Sequence, residues 1–145
     1  MKEAIHYIRK AMIDRLTGNV SLNGNSVPVY NQVPSSTTYP FIRIYSVSSN
    51  EADFNATSFI SETITRIEVA TRYQGDSGGE LDCNLIINQI LELIRTRSAG
   101  YFDLSGDGFN VFTCVKENCT YLSEIDEDYT YYRAIMEISN KIQQD

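Results

Sequence analysis

The chain has 145 residues, of which 42% are hydrophobic and ten are tyrosine, enough for one ordinary domain to offset chain entropy without disulfides or a structural metal. Its formal net charge of -7 argues against binding nucleic acid through phosphates, which takes clustered Lys and Arg, and suits a surface past which DNA slides without sticking. Cys83, Cys114 and Cys119 lack any metal or redox spacing and read as reduced thiols of a cytosolic setting; charges interrupt Met1 to Lys10, and no apolar run approaches a bilayer span, so neither a signal peptide nor a membrane protein is expected.

From Lys2 to Thr17, Ile5, Ile8, Met12 and Leu16 recur at helical spacing, and Gly18 can end that helix. Asn23, Gly24 and Asn25 then separate short apolar runs around Val20 and Val27 to Tyr30, the pattern of a tight hairpin. Pro34 to Pro40 reads as an irregular connection, because proline lacks an amide donor and biases its predecessor away from helix. Phe41 to Val47 has the composition of a strand. Thr63 to Tyr73 alternates Thr65, Ile67, Val69, Thr71 and Tyr73 against Arg66, Glu68, Ala70 and Arg72, which predicts its antiparallel, half-buried partner. Between them, Ser48 to Glu62 is too long for a tight turn and predicts either an extended hairpin arm or a mobile loop.

Ser77 to Glu80 spells a capping box, opening a second helix whose stripe is Leu81, Cys83, Ile86, Ile87, Ile90, Leu91, Leu93 and Ile94, with Arg95 and Arg97 suited to its negative end and Gly100 closing it. Gly108 to Asn118 and Tyr129 to Ile142 predict two long strands, separated by the acidic segment Glu124 to Asp128. The expected fold is α+β: one domain over 1–145, a mostly antiparallel sheet of about four main strands plus a short hairpin, packed against two helices in the order α-ββ-β-β-α-β-β.

Gly75, Asp76, Ser77, Gly78 and Gly79 resemble the surroundings of a catalytic serine and satisfy GxSxG. A hydrolase reading fails on its partners. The sole histidine, His6, lies upstream in the first helix, so Ser77 lacks a general base to remove its proton. Asp103, Ser105, Asp107 and Gly108 copy the opening of a calcium loop, but its twelfth position holds Cys114 where a bidentate glutamate belongs, and a turn is the simpler reading. Glu124, Asp126, Glu127 and Asp128 read as a solvated hairpin tip, or as acidic residues facing a DNA channel in a ring. No phosphate-binding loop or dinucleotide fingerprint occurs, and no cofactor is expected.

Several segments carry a wider likeness: Ile13 to Leu16 ending the first helix; Val29 to Val33 leading into Tyr39, Pro40, Phe41, Ile42, Arg43 and Ile44; the strand Arg66 to Tyr73; Gly75 before the long helix to Ile94; and the closing strand Tyr129 to Ile138. In order and spacing, nearly end to end, the chain resembles the tail-terminator or tail-completion proteins of long-tailed bacteriophages. It departs from that pattern over Ser48 to Glu62 and Tyr101 to Gly108. The resemblance implies a non-enzymatic virion protein of the tail or neck, assembled in the host cytoplasm. It would form a hexameric ring that ends the tail tube and offers a surface to the head connector, with DNA passing through unbound. A related expectation is a neck adaptor of twelve copies on the portal of a short-tailed phage; a monomeric ligand-binding domain is the rival of a different class. For a ring, aromatic residues on strand borders are the candidate contacts: Phe54, Phe59, Tyr129, Tyr131 and Tyr132.

Overall fold

A computed structural model describes residues 1–54, 57–96 and 101–144, with Asp53 and Phe54 described in backbone only. Helix α1 spans Ile5–Leu16, starting one turn later than predicted, and buries Ile8, Met12 and Leu16. Strands β1 (Ser21–Leu22) and β2 (Asn25–Ser26) form the expected hairpin, turned by Asn23 and Gly24 at φ 53° and 82°. Positive φ at both central residues matches the twist of the flanking strands. Gln89 holds this hairpin to the body, accepting from the Ser21 amide at 2.9 Å and donating to its carbonyl at 2.7 Å.

Val29–Tyr30 forms a separate strand, β3, which pairs parallel with Ile42 and Arg43 at the start of β4 (Phe41–Phe54). The hairpin pattern gave no sign of that parallel contact, because two residues carry too little periodicity to name their partner. Strand β4 pairs antiparallel with β5 (Phe59–Gln74) as far as Phe54 opposite Phe59, so the described residues of 48–62 form an extended hairpin rather than a loop. The hairpin is not a free arm: β5 continues pairing with β8 (Tyr129–Gln144) as far as Phe59 opposite Gln144. Extra residues in β4 at Val47 and Ala52 shift its register by bulges.

Helix α2 spans Leu81–Ile94 and buries Cys83, Ile86, Ile87, Ile90 and Ile94. The predicted capping box does not form. Glu80 is the N-cap without a side-chain cap, and the Ser77 hydroxyl instead donates to the Gln74 carbonyl at 2.8 Å, closing the turn after β5. Gly78 at φ 96° bends the chain between that turn and the helix, so Ser77 stands too early to reach the helix amides. Leu81, first in the helix, is 68% exposed and leaves the predicted stripe. Arg95 is the C-cap, while Arg97 and Gly100 lie outside the described residues.

The strand predicted over 108–118 is two. Phe109–Val111 (β6) and Val115–Ile125 (β7) both pair with β8 on its outer side, β6 at its end and β7 from Thr130 to Ser139. They break at Thr113, whose hydroxyl accepts from the Lys141 amide at 2.7 Å and whose carbonyl accepts from the Asn140 amide group at 3.0 Å. Strand β7 also runs on through Glu124, leaving only 126–128 as the turn.

The sheet therefore reads β3-β4-β5-β8, bordered by β6 and β7. Both helices lie on one face. Ile42, Ile44, Ile67, Val69, Ala134, Met136 and Ile138 meet the buried rows of α1 and α2 there, each fully buried isoleucine contributing about 1.5–3 kcal/mol. Phe102, Leu104, Phe109 and Val111 close one end of that core. A Cβ placed on Gly78 would overlap the Tyr73 ring, and a positive φ there adds strain for any other residue. Gly78→Ala should therefore destabilise the fold by about 1–3 kcal/mol, read as a lower urea midpoint at unchanged slope.

Candidate interaction surface

Among the described residues no helix lies on the sheet's second face. Period-two alternation in β5 and β8 sends Arg66, Glu68 and Arg72 from one strand, and Tyr129, Tyr131, Arg133 and Glu137 from the other, to this side. Strand β4 adds Arg43 and Tyr45 in the same rows. Arg66 bonds the Glu137 carboxylate at 2.6 Å, and Arg133 bonds Glu68 at 2.6 Å. The Glu137 hydrogen bond raises the Arg66 pKa, with a further bond from Arg66 to the Tyr45 hydroxyl at 3.4 Å. These side chains are partly open to solvent, so each pair contributes only about 0.2–1 kcal/mol.

Arginine stacked on tyrosine is the recurring feature. The Arg72 guanidinium lies 4.2 Å from the Tyr129 ring centre and 4.8 Å from that of Tyr39, which the connection before β4 brings over the sheet. Arg43 lies 4.3 Å from the Tyr45 ring centre. Among the described residues Arg43 has neither a hydrogen-bond nor a carboxylate partner, so its in-plane N–H groups remain available. It lines a shallow hollow with Asn31, Gln32 and Val33 at the end of β3.

The aromatic contact candidates divide between the faces. Tyr129 and Tyr131 stand on the open face, 6.3 Å apart between ring centres. Tyr132 lies on the helix side, packed against the core and edge-on to Tyr73. The Tyr73 hydroxyl is bonded to Asp82 in the first turn of α2, and burial followed by that bond raises its pKa. Phe59 is 38% exposed at the far end of β5; the Phe54 side chain lies outside the described residues.

At the tip of the β7–β8 hairpin, Asp126 works as a turn residue. Its carboxylate accepts from the amides of Tyr129 at 2.7 Å and Asp128 at 2.8 Å, and those bonds lower its pKa. Glu124, Glu127 and Asp128 are exposed, and among the described residues the carboxylates of Glu127 and Asp128 have no hydrogen-bond or ion-pair partner. Both borders of the sheet are free over long stretches. Beyond Arg43, β4 pairs with no second strand among the described residues, and β7 pairs only with β8.

The calcium-like loop is held by its own contacts. Asp103 accepts from the Ser105 amide at 3.0 Å, and the Lys2 ammonium bonds the Asp107 carbonyl at 2.7 Å. Ser105 and Asp107 are the ends of a short 3-10 turn that follows Asp103, and no group of three or more His, Cys, Asp or Glu among the described residues could hold a metal ion. His6 stacks on Tyr7 in α1, with ring centres 3.9 Å apart, while Ser77 is engaged with Gln74. The three cysteines are free thiols, and burial raises the pKa of Cys83 and Cys114. Among the described residues no helix is long and apolar enough to cross a membrane.

No protein-family model matches the chain, and no curated protein matches it in sequence.

The open-face network was missed in the sequence because its members come from three strands. Its signal was the run Arg66, Glu68, Arg72, whose spacing places three charges on one side of a strand. A serine-directed fluorophosphonate should leave Ser77 unlabelled, since its hydroxyl has a carbonyl partner and no base; stoichiometric labelling in intact-mass spectra would show otherwise. Titration with calcium in a calorimeter should give only the heat of dilution.

Proposed function

We propose that the chain is a ring-forming structural subunit at the head–tail junction or tail end of a tailed phage, acting through protein contacts rather than chemistry. Its place there is to end the tail tube or join it to the head connector while DNA passes unbound. The observation that carries this reading is the pair of free sheet borders. Strands β4, β5, β8 and β7 alternate in direction, so the outer strands run opposite ways. Copies placed side by side with a common orientation therefore bring β7 of one antiparallel to β4 of the next, and each joint repeats the last. Heterologous contacts of this kind either close into a ring or grow as a filament.

Two helices packed on one face of a mostly antiparallel sheet also agree with the fold that the resemblance to tail terminators implies. The acidic balance suits a passage for DNA, since phosphates find no dense cationic surface on a chain of net charge -7. Half-exposed tyrosines and arginines on the open face have the composition of protein contacts.

Concentrated protein should give closed rings in negative stain and a mass near six subunits by light scattering; twelve would favour the neck adaptor. Thr120→Lys with Leu122→Lys places charges along the β7 border and should reduce assembly at least about tenfold without loss of circular dichroism signal. A chain that stays monomeric at high concentration, alone and with purified tail tubes and connectors, would end this reading.

A further inference from the structure

We infer that the acidic tip of the β7–β8 hairpin seats on Arg43 and its hollow in the adjacent copy, an inference that rests on the ring reading above and assigns its register. The free part of the β4 border runs from Tyr45 to Phe54, because β3 occupies Ile42 and Arg43. Strand β7, Val115–Ile125, has nearly the same length. The antiparallel register that pairs both stretches fully and keeps the open faces together sets Glu124 of one copy opposite Tyr45 of the next, and Val115 toward Phe54.

Continuing that register past the strand end brings residues 125 and 126 beside Ile44 and Arg43 of the adjacent copy, where Asn31 already bonds the Ile44 carbonyl at 2.8 Å, and puts Glu127 and Asp128 next in the turn. There the end of β3 stops further pairing, and the turn comes to rest against Asn31, Gln32 and Arg43, which line the hollow. Charge agrees with position. The tip carries Glu127 and Asp128, unpartnered among the described residues, whereas Asp126 is already committed to the turn. Opposite them stands Arg43, held by Tyr45 and without a carboxylate of its own, unlike Arg66 and Arg133. Stacking orients a guanidinium while leaving its planar fork free for a carboxylate.

The register is displaced from level. Within one copy Tyr45 stands in the same row as Arg66, Glu137 and Asn118, so matching it to Glu124 staggers adjacent copies along the strands. A sheet closed on itself requires such a stagger.

Charge reversal tests the contact. The concentration at half assembly, followed by mass photometry and light scattering, should rise about tenfold or more for Arg43→Glu and for Glu127→Lys, and the combined variant should return to within about threefold of the parent. Thermal melts of each variant separate lost contact from lost fold. Rings that form normally with Arg43→Glu, or single variants that the combination fails to rescue, overturn this inference and leave the ring reading standing. A parent chain monomeric under every condition removes both. Binding of a duplex DNA fragment that Arg43→Glu abolishes, with assembly unchanged, would assign the arginine to phosphate and likewise overturn the inference.

Discussion

The pairing of β5 with β8 is the constraint on which the rest of the molecule depends. Each strand has 16 residues, and their register is unbroken from Phe59 opposite Gln144 to Gln74 opposite Tyr129. Because strand side chains alternate, that register decides two things together. It lines up Ile67, Val69, Ala134, Met136 and Ile138 as a floor for the helices, and it sets Arg66 against Glu137 on the reverse side. A slip of one residue would turn the isoleucines to water and the arginines under the helices. Apolar burial supplies most of the energy, since the half-open ion pairs contribute little, but the pairs favour the same register. Both faces therefore specify one alignment.

From this follows the asymmetry of the fold. Two helices are enough to cover one face, and none of the described elements adds a third layer on the other. An antiparallel sheet tolerates that, provided the open side carries polar or amphipathic residues. Here the solution is tyrosine and arginine. Arg43, Arg66, Arg72 and Arg133 stand together on this face, interleaved with Glu68 and Glu137. Two are balanced by Glu137 and Glu68, and stacking on tyrosine fixes the others without neutralising them.

Most of the fold was legible where periodicity was long. The stripe Ile8, Met12, Leu16 and the alternation from Thr65 to Tyr73 each repeat several times, and both elements occur with the predicted faces buried. Legibility failed where a few residues depend on distant partners. Nothing near Val29 announces that it pairs with Ile42, and nothing around Phe112 shows that Thr113 is tied to β8 and splits the strand. The capping box misled because its spacing was right while the glycines within it turned the chain away. For the surface the same rule holds: Tyr129, Tyr131 and Tyr132 formed one group in the sequence, yet alternation puts the third on the helix side. Arg43 could not be singled out, since what marks it is that its cross-strand neighbour Glu68 is bonded to Arg133 instead.

The sheet borders pose a problem that bare edge pairing does not solve. Main-chain hydrogen bonds between strands are indifferent to sequence, so two free edges offer many registers, and an exposed border with Val115, Leu122 and Ile125 invites unregulated growth. Lys116, Glu117 and the bulge beside them discourage such pairing at one end of β7. At the other end the acidic turn acts differently: it is costly wherever it meets the acidic surface of another copy, and favourable only where a cation waits. In the proposed ring Arg43 is that cation. A contact of modest energy then suffices, because it has only to select among registers that the edges already stabilise almost equally. Strength would come from the backbone and closure from the charge, which separates the ability to associate from the choice of how.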